Sequence, residues 1–349
     1  MRSKWFIALI AMLAAPAASG AEPLQWEKFP ALPDHEGFAA MFAGWSPDRG
    51  EHLLAAGGAN FPDKKPWEGG KKIWHDTVFV LRSSDGEWKA AGKLPRPLAY
   101  GVSASWGGSV FCVGGGDADR HYADAFTMSW GKGSAYFNSL PSLPRPVANA
   151  CGAIVGRTLY IAGGTERPDS TNALRTFYAL DLPANPGKWR QLDSWPGPAR
   201  MLAVAAVQDG SFFLASGTDL SAGPDGKPVR TYLRDAYRFT PGKGWKRIAD
   251  LPRAAVAAPS PAPTLGSTQF LILGGDDGSQ LATPPTEHKG FPKSILAYDI
   301  ARDIWKLAGE MPAPRVTVPT AQWLGRWLIV NGEQKPGVRS PEVWSLQGR

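Results

Sequence analysis

The sequence predicts an all-β protein built as a six-bladed β-propeller. A β-rich run ending in paired glycines, or in a close variant, recurs six times, and a Pro-containing turn separates the units. Each unit also has room for three further short strands. The 40 glycines and 32 prolines fit a fold with many turns. Units of about 50 residues are typical of one class of propeller repeat.

The repeat can be followed along the chain by its glycine pairs. The pairs and their variants are Gly57-Gly58, Gly114 to Gly116, Gly163-Gly164, Ser216-Gly217, Gly274-Gly275 and Asn331-Gly332. After each pair comes a loop, then a strand with an aromatic residue, as in residues 176–182, and often a strand around a tryptophan such as Trp88. A Leu-Pro turn or a close variant leads to the next unit. Each unit therefore supplies the four strands of one blade.

The two ends of the chain predict how the ring closes. The sixth unit has a strand around Val343, but the sequence stops at Arg349 before a fourth strand. Residues 24–29 contain a tryptophan strand and a following Leu-Pro turn without the three strands that precede it elsewhere. We expect residues 24–29 to complete the sixth blade and leave no open sheet edge. Residues 22–349 are thus predicted to form a single propeller domain.

Residues 1–20 are predicted to be a signal peptide rather than part of the fold. Arg2 and Lys4 precede an apolar run over residues 5–15, and small residues follow up to Ala21. A membrane anchor is the alternative, but the run is shorter than the ~20 apolar residues that span a bilayer. We expect a periplasmic or secreted protein with no membrane contact after cleavage.

Charge and composition argue against several classes of function. The net charge of +7 becomes +5 without Arg2 and Lys4, and no dense basic run marks a nucleic-acid surface. The five histidines and two cysteines show no metal-ligand spacing, and no Gly-rich phosphate loop is present, so we expect no metal and no cofactor. Cys112 and Cys151 lie in apolar runs. Export would permit a disulfide, but we favour two buried thiols.

Two sets of side chains should meet at one mouth of the central channel, because the loops after the glycine pairs and the loops between blades lie on the same face. The first set is Asn60, Asp117, Thr165, Thr218, Asp276 and Glu333. The second set consists of arginines after the Pro-containing turns, namely Arg96, Arg145, Arg200, Arg253 and Arg315. Each arginine is a candidate for binding an anionic ligand. The competing interpretation is a structural pair with a loop carboxylate.

Residues 60–76 form a loop longer than a blade requires, and it carries Lys64, Lys65, Lys71 and Lys72. Loops of more than about 12 residues in compact domains are usually functional or disordered. The loop is either a lid over the channel mouth or a solvated surface insertion.

The closing segment, W-L-I-V-N-G-E-Q-K-P-G-V-R-S-P-E-V-W at residues 327–344, resembles the signature of bacterial N-acetylneuraminate epimerases, the sialic acid mutarotases. These are secreted six-bladed kelch propellers. The first unit is similar as well, in F-A-G-W-S (42–46), L-L-A-A-G-G-A-N-F (53–61), G-K-K (70–72) and L-A-Y-G-V-S (98–103). In better-known members the G-E-x-K-P-G-x-R loop precedes the A-G-G-A-x-F blade. Here it closes the chain, which resembles the cyclically permuted branch of the family.

The resemblance implies a catalytic pair, Glu333 and Arg339, that exchanges the α and β anomers of sialic acid. Glu333 would act as general base and then acid, and Arg339 would bind the sugar carboxylate by a two-point contact. Further candidates for substrate binding are Lys335, Asn60, Lys72, Tyr100, Arg96, Arg145 and Arg200. The expected partner is a small anionic sugar.

Two other functions remain open at this point. Glu333 and Arg339 could brace a loop in a non-catalytic propeller that binds carbohydrate or protein, since a fold alone predicts no function. The same site could also serve a different sugar-acid isomerase or a lyase.

Overall fold

The computed structural model describes residues 23–182 and 187–347, and these residues form short β-strands and turns. The predicted signal peptide lies outside the described residues. The first ten strands are β1 (Trp26–Phe29), β2 (Phe42–Pro47), β3 (Glu51–Ala56), β4 (Ala59–Asn60), β5 (Ile73–Trp74), β6 (Thr77–Leu81), β7 (Lys89–Lys93), β8 (Val102–Trp106), β9 (Ser109–Val113) and β10 (Ala125–Gly131). The next ten are β11 (Ser134–Leu140), β12 (Cys151–Val155), β13 (Thr158–Ala162), β14 (Phe177–Asp181), β15 (Arg190–Leu192), β16 (Val204–Gln208), β17 (Ser211–Ala215), β18 (Thr218–Ala222), β19 (Pro228–Tyr232) and β20 (Ala236–Thr240). The last ten are β21 (Gly244–Ile248), β22 (Thr264–Leu265), β23 (Gln269–Leu273), β24 (Ser294–Asp299), β25 (Ile304–Glu310), β26 (Thr320–Trp323), β27 (Arg326–Val330), β28 (Glu333–Lys335), β29 (Val338–Arg339) and β30 (Val343–Gln347). A short 3-10 helix spans Pro66–Glu68.

Six four-stranded antiparallel sheets form the blades, as the sequence predicts. From the channel outward they are β2-β3-β6-β7, β8-β9-β10-β11, β12-β13-β14-β15, β16-β17-β20-β21, β22-β23-β24-β25 and β26-β27-β30-β1. Three two-stranded ribbons, β4-β5, β18-β19 and β28-β29, extend the loops between the second and third strands of blades one, four and six. These ribbons build the surroundings of the channel mouth.

The sixth blade is completed by the N-terminal strand, which confirms the predicted closure. β1 pairs antiparallel with β30, with Trp26 opposite Leu346 and Phe29 opposite Val343. Ion pairs reinforce the joint, because Lys28 Nζ lies 2.6 Å from Glu342 Oε1 and Arg326 contacts Glu27. The first and last parts of the described chain therefore share one sheet.

Apolar side chains fill the spaces between blades, and in four of the six blades a tryptophan at the outer strand bonds the preceding blade. The indole Nε1 of Trp88 donates to the carbonyl of Pro30 at 2.8 Å, and that of Trp305 donates to Ala249 at 2.8 Å. Trp189 and Trp245 make the same kind of bond to Pro141 and Asp193. The repeated tryptophans thus have a structural reason, since each satisfies a carbonyl beside the turn of the neighbouring blade.

Both cysteines are free thiols buried between strands, in agreement with the favoured prediction. Burial raises the pKa of Cys151 to about 12 and raises that of Cys112 further. Among the described residues, no helix has the length and apolar character needed to cross a membrane.

A closed ring of six backbone hydrogen bonds surrounds the channel at the mouth that carries the post-glycine loops. In each bond the amide of one blade donates to the carbonyl of the preceding blade, at 2.7–3.0 Å. The six residues, one from each blade, are Ala40, Tyr100, Asn149, Leu202, Ala257 and Thr317. All six adopt left-handed backbone conformations, with φ between 54° and 64°. Because none is glycine, the ring carries backbone strain that the surrounding blades must hold in place.

Glu342 and its partners give the ring closure a pH dependence. Burial alone would raise the pKa of Glu342, but hydrogen bonds from Lys28, Trp344 and Arg315 outweigh burial and hold this pKa below its ordinary value of 4.5. The stabilisation is therefore fully present above pH 4.5 and is lost as the pH falls through the lower folded pKa.

We expect Glu342→Gln to lower the free energy of unfolding by about 2 kcal/mol at pH 7, because the fully buried Arg315 loses its carboxylate partner. Urea titrations should show this difference shrinking below about pH 4. The control is Glu27→Gln, which removes an exposed ion pair and should change stability by less than about 0.5 kcal/mol. Equal effects of the two substitutions at pH 7 would contradict this account.

Thr317 is the β-branched member of the backbone ring, and its φ of 54° is unfavourable for such a side chain. We expect Thr317→Asn to raise the free energy of unfolding by about 0.5–1 kcal/mol, since asparagine tolerates this conformation better. The matched control, Thr264→Asn in the strand β22, should be slightly destabilising. Chemical denaturation measures both, and a loss of stability at position 317 would refute the strain argument.

Candidate functional site

The β28-β29 ribbon presents Glu333 at the channel mouth. Glu333 follows the sixth glycine-pair variant, and its backbone forms a bridge with Val316 from the start of the same blade. Corresponding bridges occur in the other five blades, so the post-glycine residues do surround one mouth as predicted. In the first two blades Ala59 and Gly116 take the bridge position, and Asn60 and Asp117 lie one residue further on.

The carboxylate of Glu333 is held by two donors from its own ribbon. Its Oε1 accepts hydrogen bonds from the backbone amide of Gly337 at 2.7 Å and from Arg339 Nη1 at 3.0 Å. Oε2 accepts no hydrogen bond from any described residue, and the side chain is 16% exposed. One oxygen thus fixes the orientation of the group while the other is available for chemistry.

Arg339 is buried beside Glu333, and the predicted two-point contact with a substrate carboxylate stays a prediction. Its side chain is only 4% exposed, its Nη1 bonds Glu333, and its guanidinium lies 4.8 Å from the centre of the Phe61 ring. Two parallel hydrogen bonds to a ligand would require an accessible edge of the guanidinium. In this structure Arg339 orients Glu333 and balances its charge through Nη1, while its Nε forms no hydrogen bond with any described residue.

Lys72 lies close to Tyr100 and over the Phe61 ring. Lys72 Nζ donates to Tyr100 Oη at 3.2 Å and lies within 6 Å of the ring centres of Phe61, Trp74 and Tyr100. Phe61 therefore contacts both Lys72 and Arg339. The structure brings these two predicted residues to the same part of the mouth as Glu333.

One side of the 60–76 loop packs on the Glu333 ribbon, while Asp63, Lys64 and residues 66–69 remain exposed. Its start and end pair as β4 and β5, and Lys65 forms an ion pair with Glu36. A Cβ added at Gly337 would lie 2.9 Å from Pro66 and 3.1 Å from Trp67. The close approach of loop and ribbon thus depends on the missing side chain at Gly337.

Asn60 and Arg200 are fully buried, so we remove both from the predicted substrate-binding residues. The Asn60 side chain donates to Asp34 Oδ1 at 3.3 Å and accepts from His75 Nε2 at 2.8 Å. Arg200 donates to Asp235 Oδ2 at 2.7 Å and to the carbonyl of Ser216 at 2.9 Å. Both side chains hold loops together.

The remaining predicted residues are accessible but differ in their pairing. Arg96 lies 3.2 Å from Asp124 and stacks on Tyr122, and Arg145 lies 3.4 Å from Glu166. Both arginines thus form the pair with a loop carboxylate that the structural interpretation of these arginines predicts. Lys335 is partly exposed on β28 and has no carboxylate partner among the described residues.

A cavity of about 390 Å³ opens beside Glu333, between blades four, five and six. Its polar lining includes side chains that the sequence did not single out: Arg230, Tyr232, Gln280 and His288. Asp276, the post-glycine residue of blade five, also lines it and accepts a hydrogen bond from Tyr232 Oη at 2.6 Å. Burial and this bond raise the pKa of Tyr232 well above its ordinary value, so the phenol stays neutral. No described cluster of histidine, cysteine or acidic residues is arranged to hold a metal ion.

The fold and the site define a six-bladed β-propeller with a guanidinium-supported carboxylate at its mouth. A family model described as N-acetylneuraminate epimerase matches residues 13–135. That stretch includes the first blade with Lys72 and Tyr100, while the Glu333 ribbon lies outside it.

Curated relatives carry the same description. The chain is 24% identical over 238 residues to an N-acetylneuraminate epimerase of Salmonella arizonae, covering 60% of this chain and 59% of the relative. It is 28% identical over 244 residues to that of Yersinia pestis (strain Pestoides F), covering 62% and 59%. The chain thus spans about three-fifths of the length of these relatives.

A solved structure, titled "Structure of YjhT", superposes with a TM-score of 0.65 at 15% identity. It covers 90% of this chain and 95% of the other. At this identity the likeness establishes the propeller fold.

We expect Gly337→Ala to separate the 60–76 loop from the Glu333 ribbon, because the new methyl group would clash with Pro66. The control is Gly325→Ala, which has a similar φ of 71° but meets nothing within 4 Å. Both variants carry the cost of an alanine at positive φ, about 1 kcal/mol. Only Gly337→Ala should accelerate proteolysis within residues 60–76, and equal cleavage of the two variants would contradict the packing role.

Proposed function

We propose that the protein is a mutarotase that interconverts the α and β anomers of N-acetylneuraminate. The observation that carries this proposal is the carboxylate of Glu333, oriented through one oxygen and free at the other, beside a cavity large enough for a sugar acid. The family match and the curated relatives support the same activity.

The chemistry requires one group that removes and returns protons. Glu333 takes the proton of the anomeric hydroxyl, the bond between the anomeric carbon and the ring oxygen breaks, and the ring oxygen is protonated as the ketone forms. After rotation about the neighbouring carbon–carbon bond, the same steps run in reverse on the other face. No proton is consumed overall, so a single carboxylate can serve as base and then as acid.

Arg339 is a positioning residue in this proposal. Its hydrogen bond holds Glu333 Oε1, and its own orientation is set by the face of Phe61. Lys72 and Tyr100 provide donors at the same mouth and remain candidates for contacts with the sugar.

We further propose that the chain is exported to the periplasm or the medium by the signal peptide at residues 1–20 and that its blades are kelch repeats. The rotated order of the G-E-x-K-P-G-x-R loop fits a cyclic permutation. A ring tolerates a new opening point because contacts between neighbouring blades are retained.

The test is proton NMR of freshly released α-N-acetylneuraminate. The wild-type protein should accelerate conversion to the β anomer, and Glu333→Gln should reduce the acceleration by about 10²- to 10⁴-fold. Glu166→Gln, a matched change at the same mouth outside the ribbon, should leave the rate unchanged.

Equal rates with and without the wild-type protein would rule out the mutarotase function. Saturable binding of the sugar without acceleration would instead favour the non-catalytic binding propeller.

A further inference from the structure

The cavity beside Glu333 is lined by two carboxylates that neighbouring residues hold in place and by one exposed arginine, Arg230. Glu333 and Asp276 both line it, and each carboxylate already accepts hydrogen bonds from neighbouring residues. A sugar acid entering this cavity brings a third negative charge. It therefore requires a positive partner that is not already neutralised.

Arg339 does not line this cavity, and its guanidinium is paired with Glu333 and lies over the Phe61 ring. Lys72 does not line this cavity, and its ammonium group is surrounded by aromatic rings. Arg230 lines the cavity, is exposed, and has no carboxylate within ion-pair distance among the described residues.

We propose that Arg230, on the β18-β19 ribbon of blade four, binds the carboxylate of the anionic sugar in the cavity that it lines together with Glu333. This inference rests on the proposed function for the class of ligand, and it adds a specificity-determining residue that the resemblance did not supply. A guanidinium presents two parallel N–H groups that match both oxygens of a carboxylate.

The ribbon that carries Arg230 is anchored at its base. β18 and β19 pair over five positions, with Arg230 opposite Leu220 and Tyr232 opposite Thr218. Tyr232 lies two residues from Arg230, on the same face of β19, and its hydroxyl bonds Asp276 of the next blade. The Tyr232 ring also packs on Gly278, where an added Cβ would lie 3.0 Å from the ring. Binding thus has to order only the Arg230 side chain, which limits its entropic cost.

The arrangement also places the two ligand-directed groups on different blades. Glu333 would act at the anomeric carbon, to which the carboxylate of a 2-keto sugar acid is directly attached. Arg230 would hold that carboxylate from blade four, while Glu333 acts from blade six, and would so fix the face of the sugar presented to Glu333. Neutral sugars of similar shape would lack this contact and bind more weakly.

The test is a calorimetric titration of the full chain with N-acetylneuraminate and with its uncharged methyl ester. The wild type should bind the acid more tightly than the ester. Arg230→Gln should weaken binding of the acid roughly 10- to 100-fold and leave binding of the ester unchanged. Arg230→Lys should restore part of the preference, because it keeps the charge and loses the two-point geometry.

The control is Lys227→Gln, which removes a positive charge from the loop of the same ribbon, outside the cavity lining. It should leave both affinities unchanged. An Arg230→Gln protein that retains the wild-type preference for the acid would overturn the proposal, as would a wild type that binds neither compound.

These outcomes are separable from the proposed catalytic function, because binding is measured without turnover. If the wild type binds the acid without accelerating anomer exchange, and Arg230→Gln abolishes the preference, the role of Arg230 stands and the mutarotase function fails. If the wild type accelerates exchange and Arg230→Gln binds the acid normally, the mutarotase function stands and the proposed role of Arg230 fails.

Discussion

The ring of six backbone hydrogen bonds at the channel mouth is the constraint on which the site depends. Each blade contributes one amide and one carbonyl, so the position of every blade start is tied to both neighbours. The left-handed conformation of all six residues turns the chain sharply into the innermost strand. Because the post-glycine residues bridge to the residues immediately before the ring, the ring also fixes the depth at which Glu333 and Asp276 stand. A site assembled from three blades can therefore keep its geometry without a covalent link.

The candidate site is also coupled to the joint between the ends of the chain. Arg339, which orients Glu333, is followed by Ser340, whose hydroxyl accepts a hydrogen bond from Arg315 at 3.0 Å. The same guanidinium pairs with Glu342, and Glu342 in turn binds Lys28 of the first strand. One short stretch of chain, from Arg339 to Glu342, therefore contains both the residue that orients Glu333 and the residues that stabilise the closure of the sixth blade. Loss of the closing strand should consequently disturb the position of Arg339 and of the Glu333 carboxylate that it orients.

The sequence allowed the propeller, the number of blades and the split sixth blade to be predicted, because glycine pairs and Leu-Pro turns report backbone geometry that repeats. The placement of Glu333 at the mouth followed from the same repeat. The direction in which individual side chains point could not be predicted from the repeat. Asn60 and Arg200 occupy mouth positions, yet both turn inward to satisfy buried loops, a choice set by partners such as Asp34 and Asp235 that are remote in sequence.

Arg230 and Tyr232 escaped prediction for the opposite reason. They lie on one of three ribbons that extend loops in only half of the blades, so the six-fold repeat does not mark them. The signal available was only the unusual length of the loop between β17 and β20. The cavity they line exists because that ribbon meets the loop of blade five. Such a surface depends on contacts between loops of different blades, and the repeat pattern in the sequence does not indicate these contacts.

The split blade has a consequence for how the molecule is made. Five blades consist of strands that are close in sequence and can pair soon after they are synthesised. Lys28 and Glu342 are 314 residues apart, so the sixth sheet forms only after the ends of the described chain find each other. Until then β30 has an unpaired edge, and the ribbon bearing Glu333 belongs to an unfinished sheet. We therefore expect the site to form late in folding, and we expect a chain that lacks the closing strand to expose the edge of β30.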